Sequence, residues 1–113
     1  MAPSDLELLR GTLDLILLKT LSWGPLHGLA VVRWIEQTTH QRLQIEEGAL
    51  YPALHRMEQR GWLEAEWGYT DQGRRAKYYQ LTALGRRQLA LELRKWSRYS
   101  EAMGMVIAAE ARP

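Results

Sequence analysis

A mainly helical α+β fold with one small β-hairpin is what this sequence predicts, and three observations carry the prediction. Leu50, Leu54 and Met57 stand at helical spacing in a segment that ends on Arg60-Gly61, a glycine able to take the left-handed stop conformation. From Trp62 to Thr82 two runs alternate apolar and polar residues around a segment rich in glycine and arginine. A long stretch with heptad spacing follows, through Leu89, Leu93, Trp96, Ser100, Met103 and Ile107. Helix, basic-tipped hairpin, helix is the order of a winged helix-turn-helix. In that arrangement a helix enters the major groove while the hairpin tip reaches phosphates or the adjacent minor groove. The expected organisation is a winged helix-turn-helix over residues 1–82 and a C-terminal dimerisation helix over 83–113. The latter packs with the first helix as one compact unit.

Composition narrows the classes. A chain of 113 residues fits one core, and its 46% hydrophobic and 25% charged residues are ordinary for a soluble globular protein. With no cysteine, disulfides and cysteine-based zinc sites are excluded, and the cytosol is allowed. The apolar run Leu15 to Leu18 is bounded by Asp14 and Lys19, far too short for a membrane span or a secretory signal. The cytoplasm is the expected setting. Net charge is only +2, yet its distribution is lopsided. Arg74, Arg75, Lys77, Arg86, Arg87, Arg94, Lys95 and Arg98 share a stretch whose one acid is Glu92, while acids gather at Asp5, Glu7, Glu46, Glu47, Glu64 and Glu66. Segregation of this kind gives one face a positive potential on a nearly neutral molecule.

Along the chain, Ser4 and Glu7 form a capping-box pattern for a first helix from about Asp5 to Ser22, stopped by Trp23-Gly24-Pro25. Leu6, Leu9, Leu13, Ile16 and Thr20 mark one of its faces; Leu8, Leu15 and Leu18 mark another. A helix apolar on two sides needs burial on two sides, which predicts that a second subunit covers part of it. A second helix spans His27 to Thr38, with either Leu29, Val32 and Ile35 or Val31 and Trp34 inward. A short strand is expected at Leu43 to Ile45. The third helix begins near Glu47, and its outward residues are Ala49, Tyr51, His55, Arg56 and Gln59. Pro52 fits poorly inside it, so the helix either starts later or is distorted there.

In the hairpin, Leu63, Ala65 and Trp67 alternate with Trp62, Glu64 and Glu66; the return strand, Ala76 to Thr82, sets Tyr79 and Leu81 on one face and Tyr78 and Gln80 on the other. Gly68 to Arg75 reads as a mobile loop. Thr82 caps a final helix running to about Glu110. Its heptad seam has no obvious intrachain partner and is read as a dimer interface formed by Leu89, Leu93, Trp96, Met103 and Ile107.

An enzyme is not expected. His27, His40 and His55 share no metal-ligand spacing, and neither a glycine-rich phosphate loop nor a nucleophile elbow occurs. No cofactor or metal is implied. A winged helix that binds only proteins would lack exposed basic residues on its wing, whereas this wing carries Arg74, Arg75 and Lys77.

At this level of detail the chain resembles the PadR family of bacterial transcriptional regulators. The resemblance rests on Leu50-Tyr51-Pro52-Ala53-Leu54, Arg56-Met57-Glu58 with Gly61-Trp62-Leu63, and Gly73-Arg74-Arg75-Ala76-Lys77-Tyr78-Tyr79 with Leu81-Thr82-Ala83-Leu84-Gly85. Arg10 to Leu18 and Gly24-Pro25-Leu26-His27-Gly28 also fit, and the single C-terminal helix is similar to that of the short subfamily. The resemblance implies a homodimer on a roughly palindromic double-stranded DNA operator, acting as a repressor released by a small molecule or stress signal. It further implies phosphate contacts by Tyr51, Lys77 and Tyr78, contacts to bases or nearby phosphates by Ala49, Pro52, His55 and Arg56, and minor-groove contacts by Arg74 and Arg75. Trp96-Ser97-Arg98 resembles the segment of a multidrug-responsive member in which tryptophans of two subunits enclose planar drugs. A small planar aromatic effector is therefore expected against Trp96, Leu8, Leu15 and Leu18, with Lys19 and Ser100 supplying a cation and no acid beside it. The plainer readings are Tyr51 packing at the helix start, His55 facing solvent, a merely solvated Arg74-Arg75 tip, and Trp96 as packing.

Overall fold

The computed structural model describes residues 11–113. Helix α1 (Thr12–Thr20) runs into a 3-10 turn (Leu21–Trp23), followed by strand β1 (Leu26–His27), α2 (Gly28–Thr38), α3 (Glu47–Gln59), β2 (Leu63–Tyr69), β3 (Arg75–Leu81) and α4 (Ala83–Ala108). The strands form an antiparallel sheet in the order β1-β3-β2 at the edge of the helices.

Gly11 adopts φ +87°, in the left-handed region, so the helix begins at Thr12 rather than running unbroken through Gly11 as expected. The Ser4–Glu7 cap, Leu6, Leu8 and Leu9 lie outside the described residues. Leu17, Leu18 and Leu21 are fully buried and anchor α1, while Leu13, Leu15 and Ile16 pack around them. On α2, Val31 and Ile35 are buried one turn apart; Leu29 and Trp34 are exposed. Each expected inward set thus supplied one member, because the buried stripe runs between them.

No strand forms at Leu43–Ile45. That segment carries no regular secondary structure, with Ile45 alone buried. The third strand is instead Leu26–His27, paired to Tyr79 and Tyr78 on the free edge of β3. Helix α3 passes through Pro52 without starting late. The carbonyl that loses its partner is that of Gly48, in an exposed first turn where water can reach it. The helix ends as its sequence predicts: Gly61 takes φ +80°, its N–H donates to Glu58 O, and Trp62 N–H donates to Met57 O, both at 3.0 Å. This paired closure satisfies the last carbonyls and turns the chain directly into β2.

The hairpin is longer and tighter than expected. Gly68 and Tyr69 continue β2, in register with Ala76 and Arg75, and the loop shrinks to residues 70–74. Thr70 N–H donates to Arg74 O, Gly73 N–H to Thr70 O, and Arg74 N–H to Thr70 Oγ1, so the tip is a hydrogen-bonded turn. At the base of the wing Leu63, Tyr79 and Leu81 are buried.

Thr82 caps α4, its hydroxyl oxygen accepting from Gly85 N–H at 3.0 Å and its O–H donating to Gly61 O at 2.6 Å. The same turn is packed so closely that a Cβ on Gly85 would lie 2.1 Å from the Trp62 carbonyl oxygen. Leu89 is buried in the core of this chain, which corrects its assignment to a dimer interface: α1 lies against the start of α4 and covers it. From Leu93 onward every residue of α4 is exposed, and the molecule extends to 62 Å in its longest dimension.

Replacing Gly85 with alanine forces backbone apart at the junction of α3, β2 and α4. The expected cost is about 1–3 kcal/mol of folding stability, read as a lowered urea midpoint by circular dichroism; an unshifted midpoint would refute the packing described.

Candidate nucleic-acid interface

The rotation of α3 sets what it offers to solvent. At about 100° per residue, buried Leu50, Ala53, Leu54 and Met57 define one side, and Gly48, Pro52, His55 and Gln59 fall at the centre of the opposite side. Ala49 and Arg56 occupy the flank towards α1. Tyr51 and Glu58 occupy the flank towards the wing. Ala49, Tyr51, Pro52 and His55 are exposed, in the positions read from sequence.

Both flanks are held by ion pairs. On one, Arg56 Nη2 donates to Asp14 Oδ1 of α1. On the other, Lys77 Nζ of β3 donates to Glu58 Oε1 at 2.9 Å. Two of the cations expected to meet DNA, Arg56 and Lys77, are thus already ion-paired in the free chain. The Glu58 hydrogen bond, foremost, raises the Lys77 pKa above its ordinary value, partly opposed by desolvation. The resulting stabilisation is complete below the ordinary lysine value and lost only as pH rises through the raised one, so it is constant at neutral pH. Tyr79, directly behind, has its pKa raised chiefly by burial, which keeps the phenol neutral.

A groove of about 400 Å³ lies between the start of α2, Tyr51 of α3 and the wing. Its floor is shaped by Gly28, where an added Cβ would meet the Tyr51 ring at 2.8 Å. The Tyr51 phenol therefore both packs on α2 and stays 46% exposed, so the two readings of this residue are compatible. Trp67 and Tyr69 extend the core-facing side of the sheet beyond the core and stand 58% and 73% exposed. Arg75 stacks on the Trp67 ring with its guanidinium carbon 4.6 Å from the centroid. Sequence reading placed Trp67 on the inward face with Leu63 and Ala65, and it does share that face. What alternation could not show is that the core ends at Ala65, leaving an aromatic platform on the wing. Arg74 is exposed at the tip.

Tyr78 is not grouped with Lys77. Alternation along β3 turns it to the other side of the sheet, opposite Glu66 in the register, where its hydroxyl donates to Tyr69 O at 3.1 Å and its ring meets His27 edge-on at 5.4 Å. A phosphate contact by Tyr78 would thus be made from a different face of the sheet than one by Lys77, beside Glu64 and Glu66.

Away from this surface, Leu15 and Trp96 come together in an open cavity of about 390 Å³ between α1 and α4, with Tyr99 stacked on Trp96 at 6.1 Å. Leu18 does not line it, being closed inside the core, and Leu8 lies outside the described residues. The expected absence of an acid is also corrected, because Glu92 lines the cavity together with Lys95; Lys19 instead sits over the Trp23 ring at 4.7 Å. Leu93, Trp96, Met103 and Ile107 are exposed along α4. Among the described residues no helix is long and apolar enough to cross a membrane.

Comparison with known proteins agrees with this geometry. A transcriptional regulator from Clostridium thermocellum is 26% identical, with a TM-score of 0.78 over 85% of this chain and 93% of that one. A PadR family transcriptional regulator from Eggerthella lenta is 30% identical, with a TM-score of 0.76 over 89% and 86%. An uncharacterised protein of Lysinibacillus sphaericus is 29% identical over 99 residues, spanning 88% of this chain and 91% of its own length. Members of the family that these regulators represent bind DNA and are not enzymes. The family description "Transcriptional regulator PadR-like family" matches residues 17–91, and with the winged-helix fold around that span, this chain belongs to the PadR-like family of transcriptional regulators.

Proposed function

We propose that this regulator is a homodimeric repressor of the bacterial cytoplasm that grips a roughly palindromic operator through α3 and the wing. The observation that carries the reading is the pairing of an exposed α3 face with a groove rimmed by Arg74, Arg75 and Lys77. A helix diameter of about 10–12 Å suits the major groove. In this arrangement Pro52 and Ala49 meet thymine methyls, while His55 and Arg56 offer donors to base edges. Tyr51 and Lys77 take backbone phosphates, with Lys77 exchanging Glu58 for a phosphate oxygen. Arg74 enters the minor groove beside the tip.

Dimerisation is supported by the apolar residues that α4 leaves uncovered: Leu93, Trp96, Met103, Val106 and Ile107. A helix end with this composition gains from a second copy what one chain cannot bury. Release by a small molecule is supported by the Trp96–Tyr99 stack, where Glu92 provides the acid that a cationic planar aromatic ligand requires.

The double substitution Arg74→Ala with Arg75→Ala is expected to reduce the salt dependence of duplex binding by up to about 1.8 log units per log unit of salt, since each cation withdrawn from the minor groove and its flanking phosphates removes up to about 0.9. Fluorescence anisotropy across a salt series measures this, and an unchanged slope would remove the wing from the interface. Leu93→Glu is expected to give monomers in sedimentation velocity and to lose two-half-site binding; a persistent dimer would contradict the seam. Trp96→Ala is expected to abolish quenching of a planar cationic dye such as ethidium, and full quenching by the variant would place the effector elsewhere.

A further inference from the structure

The Asp14–Arg56 pair joins α1 to the edge of the surface through which α3 faces solvent. Arg56 remains 43% exposed and Asp14 22%, so the pair sits at the margin of that surface and not inside the core. Asp14 has a fixed base: its helix is anchored by fully buried Leu17 and Leu18. A guanidinium carries several N–H donors in a rigid planar fork, and spending Nη2 on a carboxylate leaves the others for a second acceptor. Lys77 on the opposite flank differs in kind, because an ammonium is a point charge without such directionality.

We propose that Asp14 is a positioning residue for Arg56 and that the pair sets the ratio of sequence-specific to nonspecific duplex affinity. The proposal rests on the reading of α3 as the recognition helix. Two effects follow from the geometry, with opposite signs. Holding a long side chain in one arrangement before docking reduces the entropy it loses when it meets a base edge, which strengthens specific binding. A carboxylate next to the guanidinium cancels part of the charge that phosphates of any sequence would feel, which weakens nonspecific binding. Asp14 therefore raises discrimination by acting on both terms. An ion pair that served only to hold α1 against α3 would, on removal, lower both affinities together.

The test uses the full chain and two probes of equal length: the duplex that the wild type recovers from a randomised pool, and a mixed-sequence duplex. For Asp14→Asn, affinity for the recovered duplex is expected to fall on the order of tenfold. Affinity for the mixed duplex is expected to rise, its salt slope steepening by up to about 0.9 as Arg56 gains a phosphate. Arg56→Lys keeps the charge but not the fork, so it is expected to weaken only the recovered duplex, and it decides the matter if Asp14→Asn does not fold. An unchanged ratio of the two affinities, whether neither moves or both fall in parallel, overturns the positioning role. Failure of the wild type to enrich any duplex is a separate result that sinks the recognition reading itself.

Discussion

Burial of Leu50, Ala53, Leu54 and Met57 fixes the rotation of α3 about its axis, and the surface that the protein presents depends on that rotation. The four side chains share one buried cluster with Leu17, Leu18, Leu21, Val31 and Ile35. Because a helix is rigid, burying one stripe obliges the opposite one to face water. Deleting a large buried side chain here would cost about 2–5 kcal/mol, whereas an exposed ion pair such as Lys77–Glu58 is worth about 0–1 kcal/mol. Core packing sets where α3 points; the ion pairs at its flanks then refine how its side chains are held. The turn at Gly61, with the carbonyls of Met57 and Glu58 satisfied, carries the same rotation into β2 and so sets where the wing emerges.

A net charge of +2 understates the electrostatics. Two of the cations nearest α3 are internally compensated, and Arg75 is laid over an aromatic ring, so the free surface is less positive than a count of arginines and lysines suggests. That arrangement suits discrimination. Binding dominated by phosphate neutralisation is insensitive to sequence, while cations that must exchange one well-placed acceptor for another respond to where the new acceptor lies. The acids on the far side of the sheet, Glu64 and Glu66, give the wing a repelling face as well as an attracting one, which restricts the orientation in which a duplex can approach.

Most of the fold was legible because its signals are local. The α3 stop depends on one glycine, the α4 start on Thr82, and the side of the wing on strict alternation; each survives in the structure. What was not legible depends on which element lies beside which. Leu89 belongs to a heptad by spacing, yet α1 covers it, and no periodicity records that neighbour. Leu26–His27 pairs with β3 although two residues are too short to show a period, while Leu43–Ile45 has strand-like composition and no edge to join. The outward residues of α3 were correctly listed from the helical wheel, but the partners of Arg56 and Lys77 lie 42 and 19 residues away and could not be. Glu92 at the Trp96 cavity was missed for a simpler reason: one turn along the same helix places it there.

The uncovered part of α4 bears on how two such surfaces would act together. Helix α4 has 26 residues, about 39 Å at 1.5 Å per residue, and its first turns are fastened to the core by Leu89 and by Arg86 Nη1 donating to Ser22 O at 3.3 Å. In the proposed dimer the free turns pair with those of a second copy, so the separation of the two α3 helices is governed by a stiff strut and not by a flexible linker. Duplex half-sites on one face recur at about 34–36 Å. A small change in how the struts cross then alters that separation at both ends. The cavity lined by Leu15, Glu92, Trp96 and Tyr99 lies where α1 meets the strut, so an occupant there would act on the crossing itself. In the proposed dimer, coupling of ligand to operator would require no change within α3: its rotation, held by the core, would stay fixed while its distance from the second copy moved.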